Sequence, residues 1–263
     1  MSARQKWADL GPRIVSAIVL LGVGAVEVYL GGLAFEIFIW VAVTLMLWEL
    51  LRMCGAKSDG AAMRGALLGG AVLAAVTFAP AMLVVPLLGA AALVCATMVG
   101  PRKDIVAGYG FAVLLAGLGF IVLRNNIGLM GMAWLIGVVV ASDVAGYFAG
   151  RLLGGPKFWP AVSPKKTWSG TIAGWVCAGL VGLAFMGALD ASILIVPASI
   201  LMALAAQFGD IAESAIKRVA GVKDSSNLIP GHGGVLDRFD GMIGAVLIAW
   251  PAWSFGIMSG VVL

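Results

Sequence analysis

The chain has 263 residues, of which 62% are hydrophobic and only 11% are charged, and its mean hydropathy is +1.06. Soluble domains carry about 25% charged residues, so this composition excludes an ordinary soluble protein and favours one with several membrane spans. The net charge of +4 comes without a basic helix or an aromatic and basic platform, which argues against nucleic acid as a partner. Three widely spaced cysteines indicate neither a disulfide framework nor a zinc cluster.

Nine apolar stretches follow one another along the chain, judged against the roughly 20 residues that a helix needs to cross a bilayer. They are Ile14–Leu30, Leu33–Leu51, Gly65–Phe78, Ala81–Val99, Ile105–Leu123, Ile127–Tyr147, Thr171–Leu189, Ile193–Phe208 and Met242–Val262. The third is short and contains three glycines, so residues 65–99 also allow one span and a re-entrant piece. The sequence predicts an all-α polytopic membrane protein with about nine transmembrane helices.

The lysines and arginines set the expected orientation, because cytoplasmic loops of membrane proteins are enriched in both. With nine spans and a cytoplasmic N-terminus that holds Arg4, Lys6 and Arg13, every basic residue except Arg124 falls on the cytoplasmic side. This pattern fixes the parity of the spans better than their number. Basic loops beside a membrane attract anionic headgroups at about 1 kcal/mol per residue, so membrane lipid is an expected partner.

Polar side chains recur in the sixth stretch, where Asp143, Tyr147 and Arg151 follow at four-residue intervals. This spacing places the three on one face of a helix. A carboxylate in or near hydrocarbon is costly unless it is paired or hydrated. Two interpretations stay open, a polar cavity lined for a substrate or a structural tether between Asp143 and Arg151 at the helix end.

The loop of residues 161–170 is the second polar segment, and it gathers cations with hydroxyl groups. Its polar members are Ser163, Lys165, Lys166 and Thr167. Lysine is a compact point charge for phosphate, and hydroxyls add hydrogen bonds, so the loop suits phosphate binding. The alternative is a basic cytoplasmic loop with an ordinary cap, from Thr167 or Ser169, on the next helix.

Residues 214–241 hold the densest charge in the chain, and Gln207, Gly209 and Asp210 precede them at the end of the eighth stretch. If the eighth helix continues inward, one face carries a carboxylate, a hydroxyl and an ammonium, at Asp210, Ser214 and Lys217. Asp237 and Asp240, one turn apart at the start of the ninth stretch, add a second pair of oxygen ligands. So few carboxylates suit Mg²⁺, which keeps waters and is completed by substrate phosphates.

A glycine-rich loop, Pro230-Gly231-His232-Gly233-Gly234, lies between these carboxylates. Missing side chains allow backbone amides to approach an anion. His232 is the only histidine of the chain and lacks companions for a metal site of its own. The plainer alternative for this whole stretch is a solvated amphipathic helix followed by a glycine turn.

At these residues the sequence resembles the CDP-diacylglycerol synthases, also called phosphatidate cytidylyltransferases. Their hallmark, S-x-hydrophobic-K-R-x4-K-D-x-small-x2-hydrophobic-P-x-H-G-G-hydrophobic-x-D-R-hydrophobic-D, is matched at every specified position from Ser214 to Asp240. Upstream, Asp143 with Tyr147 and Gly150-Arg151, the run from Ser163 to Trp168, and Gly209-Asp210 also match. The resemblance covers roughly residues 127–244. One departure is Ser169, where members commonly have Glu, and it weakens any catalytic role for that acid.

The resemblance implies a membrane enzyme that converts CTP and phosphatidate into CDP-diacylglycerol and pyrophosphate, using Mg²⁺ and leaving room for a second cation. It implies metal ligands at Asp210, Asp237 and Asp240, which form the catalytic set together with Lys217. Substrate binding is implied for Asp143, Tyr147, Arg151, Ser163, Lys165, Lys166, Thr167, Ser214, Arg218, Lys223, His232, Gly233, Gly234 and Arg238.

The resemblance also divides the chain into an N-terminal membrane region, residues 1–126, and a catalytic membrane region, residues 127–263. It implies a multi-pass protein of a bacterial-type cytoplasmic membrane, with the N-terminus and the catalytic loops on the cytoplasmic side. A homodimer is a further expectation.

Two other classes of membrane protein have weaker support. A CDP-alcohol phosphotransferase would need D-G-x2-A-R after its first aspartate pair, whereas Asp240-Gly241 is followed here by Met-Ile-Gly-Ala. A secondary transporter would place polar residues around the bilayer midplane in related halves. This chain instead gathers its charge on the predicted cytoplasmic side and has no obvious internal repeat.

Overall fold

The structure is a computed structural model that describes residues 10–160 and 162–261. The predicted cytoplasmic cations Arg4 and Lys6, and the predicted end of the ninth span at Val262, lie outside the described residues. Helices account for nearly all of the regular structure that is described.

The described residues form eight α-helices, numbered here from α1 to α8 in chain order. They are α1 (Leu10–Leu30), α2 (Gly32–Met53), α3 (Asp59–Val76), α4 (Ala81–Thr97), α5 (Lys103–Leu152), α6 (Trp168–Phe185), α7 (Ile195–Ala220) and α8 (Leu236–Ser254). Five of them, α2, α3, α5, α6 and α7, are long and apolar enough to cross a membrane, and α1 and α4 contain shorter apolar helical runs. The prediction of an all-α polytopic membrane protein is confirmed.

Helix α5 contains 50 residues, which at about 1.5 Å per residue is more than twice the thickness of a bilayer core. It is broken at Gly128, whose φ of 65° and ψ of −162° are not helical. A residue with a side chain rarely adopts such a positive φ, so glycine suits this position. The break separates the two stretches predicted as the fifth and sixth spans.

Residues 65–99 fall in two helices, of which α3 is long enough to cross a membrane and α4 is a shorter apolar helix; the choice between two spans and one span with a re-entrant piece stays a prediction. Three of the glycines of α3, Gly65, Gly69 and Gly70, allow it to pack closely on α2, because a Cβ at Gly65 would lie 2.8 Å from Leu51 and one at Gly70 would overlap Thr44. Close approach through small residues is a common way for membrane helices to pack.

The ends of α7 and α8 differ from the predicted spans. Helix α7 continues through Ala220, twelve residues beyond the apolar run that ends at Phe208, and Gly221 follows it with φ 76°, which is typical of a glycine that ends a helix. Helix α8 ends at Ser254 rather than continuing to residue 262, and a 3₁₀ turn, Ile257–Gly260, follows Gly256.

A short antiparallel hairpin interrupts the helices between α5 and α6. Strands β1 (Lys157–Trp159) and β2 (Ser163–Thr167) pair with Lys157 opposite Thr167 and Trp159 opposite Ser163. The phosphate-loop candidate of the sequence is therefore one strand of a hairpin, in which successive side chains point to opposite sides.

The chain packs as two compact units, residues 1–118 with 219–239, and residues 119–218 with 240–263. The first unit contains α1 to α4, the beginning of α5, the last two residues of α7, the loop that precedes α8 and the first turn of α8. The second contains the rest of α5, the hairpin, α6, nearly all of α7 and the remainder of α8. The predicted functional division at residue 126 stays a prediction.

Candidate active site

In the second unit, Asp210 on α7 forms an ion pair with Lys166 from the hairpin. The Nζ atom of Lys166 lies 2.5 Å from Oδ2 of Asp210 and donates to the backbone oxygen of Gln207 at 3.5 Å. The side chain of Gln207 in turn accepts a hydrogen bond of 3.1 Å from Trp175 Nε1 on α6. The hairpin, α6 and α7 are thus joined around one partly buried ion pair.

Two glycines bring α7 and α8 close together beside Asp210. A Cβ at Gly209 would lie 3.0 Å from the backbone nitrogen of Gly244, and a Cβ at Gly244 would lie 3.0 Å from that of Gly209. Only glycine fits such a backbone contact without displacing a helix. This contact lets Asp210 on α7 and Asp240 on α8 act on each other electrostatically.

Asp240 lies in the second turn of α8, before the apolar run that begins at Met242. Burial first, and then the neighbouring carboxylate of Asp210, raise the pKa of Asp240 to about 7, against the opposing effects of the Gly241 amide, Glu213 and Lys217. A carboxyl group that is buried beside another carboxylate gains stability when a cation approaches. We call Asp143, Lys166, Asp210, Glu213, Lys217 and Asp240 the aspartate cluster.

The polar face predicted along α7 is formed only in part. Ser214 Oγ lies 3.5 Å from Oδ1 of Asp210, at the outer limit of a hydrogen bond. Lys217 pairs instead with Glu213 at 2.6 Å, one turn earlier on the same helix. Glu213 is fully buried, so a carboxylate that the sequence analysis overlooked holds this lysine.

Asp143 and its neighbours on α5 separate into two groups. Arg151 Nη1 donates to the hydroxyl of Tyr147 at 2.8 Å, while Asp143 interacts electrostatically with Lys166 and Asp210. The arginine therefore serves the tyrosine rather than tethering Asp143. Asp143 instead belongs with the charges of the aspartate cluster.

The hairpin residues divide into capping and exposed groups. Thr167 caps α6 by accepting the Gly170 amide at 3.2 Å, which confirms the predicted cap. Ser169, which replaces the usual glutamate, lies 3.0 Å from the Thr167 hydroxyl and donates to the backbone oxygen of Gly154. Lys165 is exposed, and Ser163 is half-buried.

Asp237 lies at the start of α8, and in the first unit it binds the preceding loop. Its Oδ2 atom accepts three hydrogen bonds of 2.8 Å each, from the amide and the hydroxyl of Ser225 and from the amide of Gly234. Gly233 leaves room for this arrangement, since a Cβ there would lie 2.7 Å from that oxygen. One oxygen of this predicted metal ligand thus holds the loop in shape.

Glu49, on α2 in the first unit, is the main residue that the sequence analysis missed. Its side chain is completely buried and accepts hydrogen bonds from the loop and from the first residues of α8. The available signal was a carboxylate inside an apolar span, which is costly without partners. We call Glu49, Ser225, Ser226, Gly234 and Asp237 the loop cluster.

The glycine-rich loop uses its backbone amides internally. The His232 amide donates to the Ile229 carbonyl at 2.9 Å, and the Ile229 amide donates to the Gly233 carbonyl at 2.8 Å. The His232 ring lies with Nδ1 2.8 Å from the hydroxyl of Ser16. The amides of His232 and Gly234 are therefore already engaged, and a role of His232, Gly233 and Gly234 in substrate binding stays a prediction.

Five predicted substrate-binding cations have exposed side chains. They are Arg151, Lys165, Arg218, Lys223 and Arg238. Exposed lysines and arginines can reach an anionic substrate without first giving up a buried partner, whereas Lys166 is already paired. The exposed group suits the capture of phosphates, and the partly buried pair of Lys166 and Asp210 suits their positioning.

The model of the cytidylyltransferase family matches residues 11–255. The chain belongs to this family. The match takes in every helix from α2 to α8 and both candidate clusters, so the family that the hallmark predicted is confirmed across nearly the whole chain.

Three phosphatidate cytidylyltransferases show how similar individual members are. One from Brucella suis biovar 1 (strain 1330) is 45% identical over 126 residues, 45% of each chain. One from Helicobacter pylori (strain J99 / ATCC 700824) is 49% identical over 116 residues, 43% of each chain. One from Staphylococcus saprophyticus is 44% identical over 106 residues, 39% of this chain and 41% of the relative. The aligned part of this cytidylyltransferase-family chain thus spans less than half the length of these relatives.

The carboxylates of this chain suit a magnesium ion better than a metal that is coordinated by protein side chains alone. Among the described residues, no three His, Cys, Asp or Glu side chains are gathered closely enough to hold such a metal. Mg²⁺ is commonly held by one or two carboxylates, with waters and substrate phosphates completing its shell. Asp210 and Asp240, which act on each other electrostatically, are two carboxylates of this kind, and Asp237 stays a predicted third ligand.

Proposed function

We propose that this protein is a phosphatidate cytidylyltransferase, which converts CTP and phosphatidate into CDP-diacylglycerol and pyrophosphate. The single observation that best supports this function is the aspartate cluster, in which Lys166 pairs with Asp210 and Asp210 acts electrostatically on Asp240. All of these residues lie within the range that the family model matches. The named relatives, which are phosphatidate cytidylyltransferases, give the substrates.

The proposed reaction exchanges one phosphoryl bond for another. An oxygen of the lipid phosphate attacks the α-phosphorus of CTP, and the bond from that phosphorus to the oxygen bridging the α- and β-phosphates breaks. Pyrophosphate leaves with that electron pair. The attacking phosphate is already an anion near neutral pH, so the reaction needs charge compensation and alignment more than a strong base.

The cations of the chain supply the compensation. We assign Lys166 and Lys217, each held beside a carboxylate, to the positioning of phosphate oxygens. Lys165, Arg218 and Lys223 are exposed and are assigned to the capture of the incoming triphosphate. Mg²⁺, when bound, would neutralise the developing charge on the phosphates, with Asp210, Asp237 and Asp240 as its proposed ligands.

Purified protein in detergent tests this function with CTP labelled in the cytosine ring. We expect label to enter the organic phase only when phosphatidate and Mg²⁺ are both present, with one pyrophosphate released per labelled lipid. Asp104→Asn is a suitable control, because Asp104 is exposed in the first turn of α5 and has no proposed role. Release of pyrophosphate without a labelled lipid, or no lipid product at all, would refute the proposal.

We also propose that the catalytic loops face the cytoplasm in a bacterial-type cytoplasmic membrane and that the protein is a homodimer. The basic loops support the orientation. In a variant without native cysteines, Asn227→Cys should react with an impermeant thiol reagent from the cytoplasmic side, and Ala188→Cys from the opposite side, since both positions are exposed. Labelling of both from one side would contradict the orientation, and a monomeric mass in detergent and in nanodiscs would contradict the dimer.

A further inference from the structure

Glu49 is a charged residue inside an apolar helix, one turn before α2 ends. Its exposed fraction is 0%, as is that of its neighbours Leu47 and Leu50. A carboxylate in such a place costs several kcal/mol unless hydrogen-bond donors surround it. Hydrogen-bond donors are therefore expected around the Glu49 side chain.

Both oxygens of Glu49 accept hydrogen bonds from residues 225–236. Oε1 accepts the Ser226 hydroxyl at 2.6 Å and the Val235 amide at 2.9 Å. Oε2 accepts the Leu236 amide at 2.7 Å and lies 3.3 Å from the Ser225 hydroxyl, which is nearer to Asp237 Oδ2 at 2.8 Å. A single side chain thus fastens the beginning of the loop to its end.

The two amides that Glu49 accepts belong to the N-terminus of α8, which begins at Leu236. The first amides of a helix have no acceptor within the helix, and the helix dipole favours a negative charge there. A carboxylate accepts at both oxygens, whereas a glutamine would direct its NH₂ group at one of these N–H donors. The site is therefore matched to glutamate in charge as well as in shape.

The loop packs tightly against the Glu49 side chain. A Cβ at Gly234 would lie 2.7 Å from Cδ of Glu49. Asp237, one residue into α8, binds the same loop through the amides of Ser225 and Gly234. Glu49 and Asp237 together determine the shape of the loop and the start of α8.

We propose that Glu49 is a positioning residue for the cytidylyl transfer, fixing the 225–236 loop and the first turn of α8 so that Asp237 is presented to the cation and the phosphates. The inference rests on the proposed function and adds to it a residue of the N-terminal half. Glu49 acts through the loop and touches no substrate itself. Small displacements of catalytic groups reduce rates steeply, so the loop must be held this firmly.

The main test compares Glu49→Gln with Glu36→Gln, the same change on the same helix at a half-buried position outside the loop cluster. For folded, monodisperse Glu49→Gln we expect kcat to fall by about 10- to 100-fold and half-saturation to require more Mg²⁺. The KM values for CTP and phosphatidate should change by less than about threefold. Glu49→Asp, which keeps the charge but shortens the reach, should recover part of kcat.

A second measurement does not depend on activity. Hydrogen exchange of the unliganded protein should show faster exchange at the Val235 and Leu236 amides in Glu49→Gln, with α3 and α6 unchanged, and no such change in Glu36→Gln. A uniform increase in exchange, with normal kcat for each folded molecule, would show that Glu49 only stabilises the protein and would overturn the proposal.

Ser226→Ala keeps the proposal testable if Glu49→Gln does not fold. It removes one donor to Glu49 and should lower kcat by about 2- to 10-fold while raising exchange in the same loop. Wild-type kcat and exchange in Ser226→Ala and Glu49→Asp would overturn the positioning role. A wild-type protein without cytidylyltransferase activity would refute the proposed function instead, and the exchange measurement would then still decide whether Glu49 holds the loop.

Discussion

The loop cluster and the aspartate cluster both bury carboxylates, but they compensate the charge in opposite ways. In the loop cluster, Glu49 and Asp237 are met by six donors, two hydroxyls and four backbone amides. In the aspartate cluster, Asp210 and Asp240 act on each other and raise a pKa. Two lysines, Lys166 and Lys217, serve the four carboxyl groups there.

This difference indicates different roles for the two regions. Carboxylates whose oxygens are met by fixed donors hold a shape without a ligand, because leaving a buried donor unpaired costs about 1 to 3 kcal/mol. Carboxyl groups that repel one another in a partly buried site are stabilised by a cation from outside. We therefore interpret the loop cluster as a scaffold and the aspartate cluster as the place where a cation is gained.

The largest expected effects are losses of activity at the aspartates, and Asp237→Asn, unlike Asp240→Asn, should lose thermal stability together with activity. Asp240→Asn and Asp210→Asn should each lower kcat by about 1,000-fold or more, a loss of about 4 kcal/mol in transition-state stabilisation. Asp240→Asn should not lower the melting temperature in EDTA, because it removes a repulsion, whereas Asp210→Asn also loses the ion pair with Lys166. Asp237→Asn should lower both activity and melting temperature, since its Oδ2 accepts three donors.

Thermal unfolding and kcat on the same purified samples check this contrast, with Asp104→Asn as control. If Asp240→Asn and Asp237→Asn lost equal stability in EDTA, the distinction between scaffold and cation site would be wrong. Near-normal turnover of Asp210→Asn or Asp240→Asn at saturating Mg²⁺ would remove that residue from the proposed ligands.

Lys165 and Lys166 should differ although they are adjacent. Lys166 pairs with Asp210 at 2.5 Å, whereas Lys165 is exposed on the other side of the strand. Lys166→Gln should cost about 2 to 4 kcal/mol, or roughly 30- to 1,000-fold in kcat/KM. Lys165→Gln should cost less and act mainly through KM for CTP.

The matched comparison is kcat/KM for CTP and for phosphatidate in the two single variants, with topology checked by labelling. Arg at position 166 should restore only part of the rate, since a planar guanidinium does not reproduce a compact ammonium. Equal losses of kcat/KM in Lys165→Gln and Lys166→Gln would show that both lysines of the strand act only through general electrostatic attraction.

Most of the helical fold could be predicted from the sequence because apolar length is a local property. The stretches from 14 to 30 and from 33 to 51 agree closely with Leu10–Leu30 and Gly32–Met53. The ends of α7 and α8 were harder, because the polar turn of α7 that carries Lys217 is helical without being apolar. Hydropathy does not report a helix that continues past the hydrocarbon.

The candidate site could be predicted residue by residue only where residues lie near one another in sequence or match the hallmark. Glu49 binds Ser226 and Val235, which lie 177 and 186 positions further along the chain. Neither residue spacing nor charge density therefore indicates Glu49. Glu213 lies beside the hallmark but occupies none of its specified positions. The internal use of the Gly234 amide depends on Asp237 folding back onto the loop, which composition does not reveal.

The contact between α7 and α8 is expected to control how close Asp210 and Asp240 lie. A Cβ at Gly244 would lie 3.0 Å from the Gly209 nitrogen, whereas a Cβ at Gly241, one turn earlier, would meet Val139 at an ordinary 3.5 Å. Gly244→Ala should therefore separate the helices and lower kcat by about tenfold. Gly241→Ala is the matched control and should keep kcat within about threefold; equal activity of the two variants would contradict the role of this contact.

The smallest expected effect is a pH dependence of stability in the metal-free protein. The pKa of Asp240 is raised to about 7 from 3.8, so between these values the folded state keeps a proton that the unfolded state releases. Stability falls with rising pH wherever the unfolded state binds fewer protons. The contribution of Asp240 is thus most favourable below about pH 4 and is lost as the pH rises through about 7. In EDTA, the wild-type melting temperature should fall more between pH 5 and pH 8 than that of Asp240→Asn, and Mg²⁺ should reduce the difference at pH 8. Parallel melting curves for the two proteins across this range would show that Asp240 is not strained by its neighbours, and the contrast between the two clusters would lose its electrostatic basis.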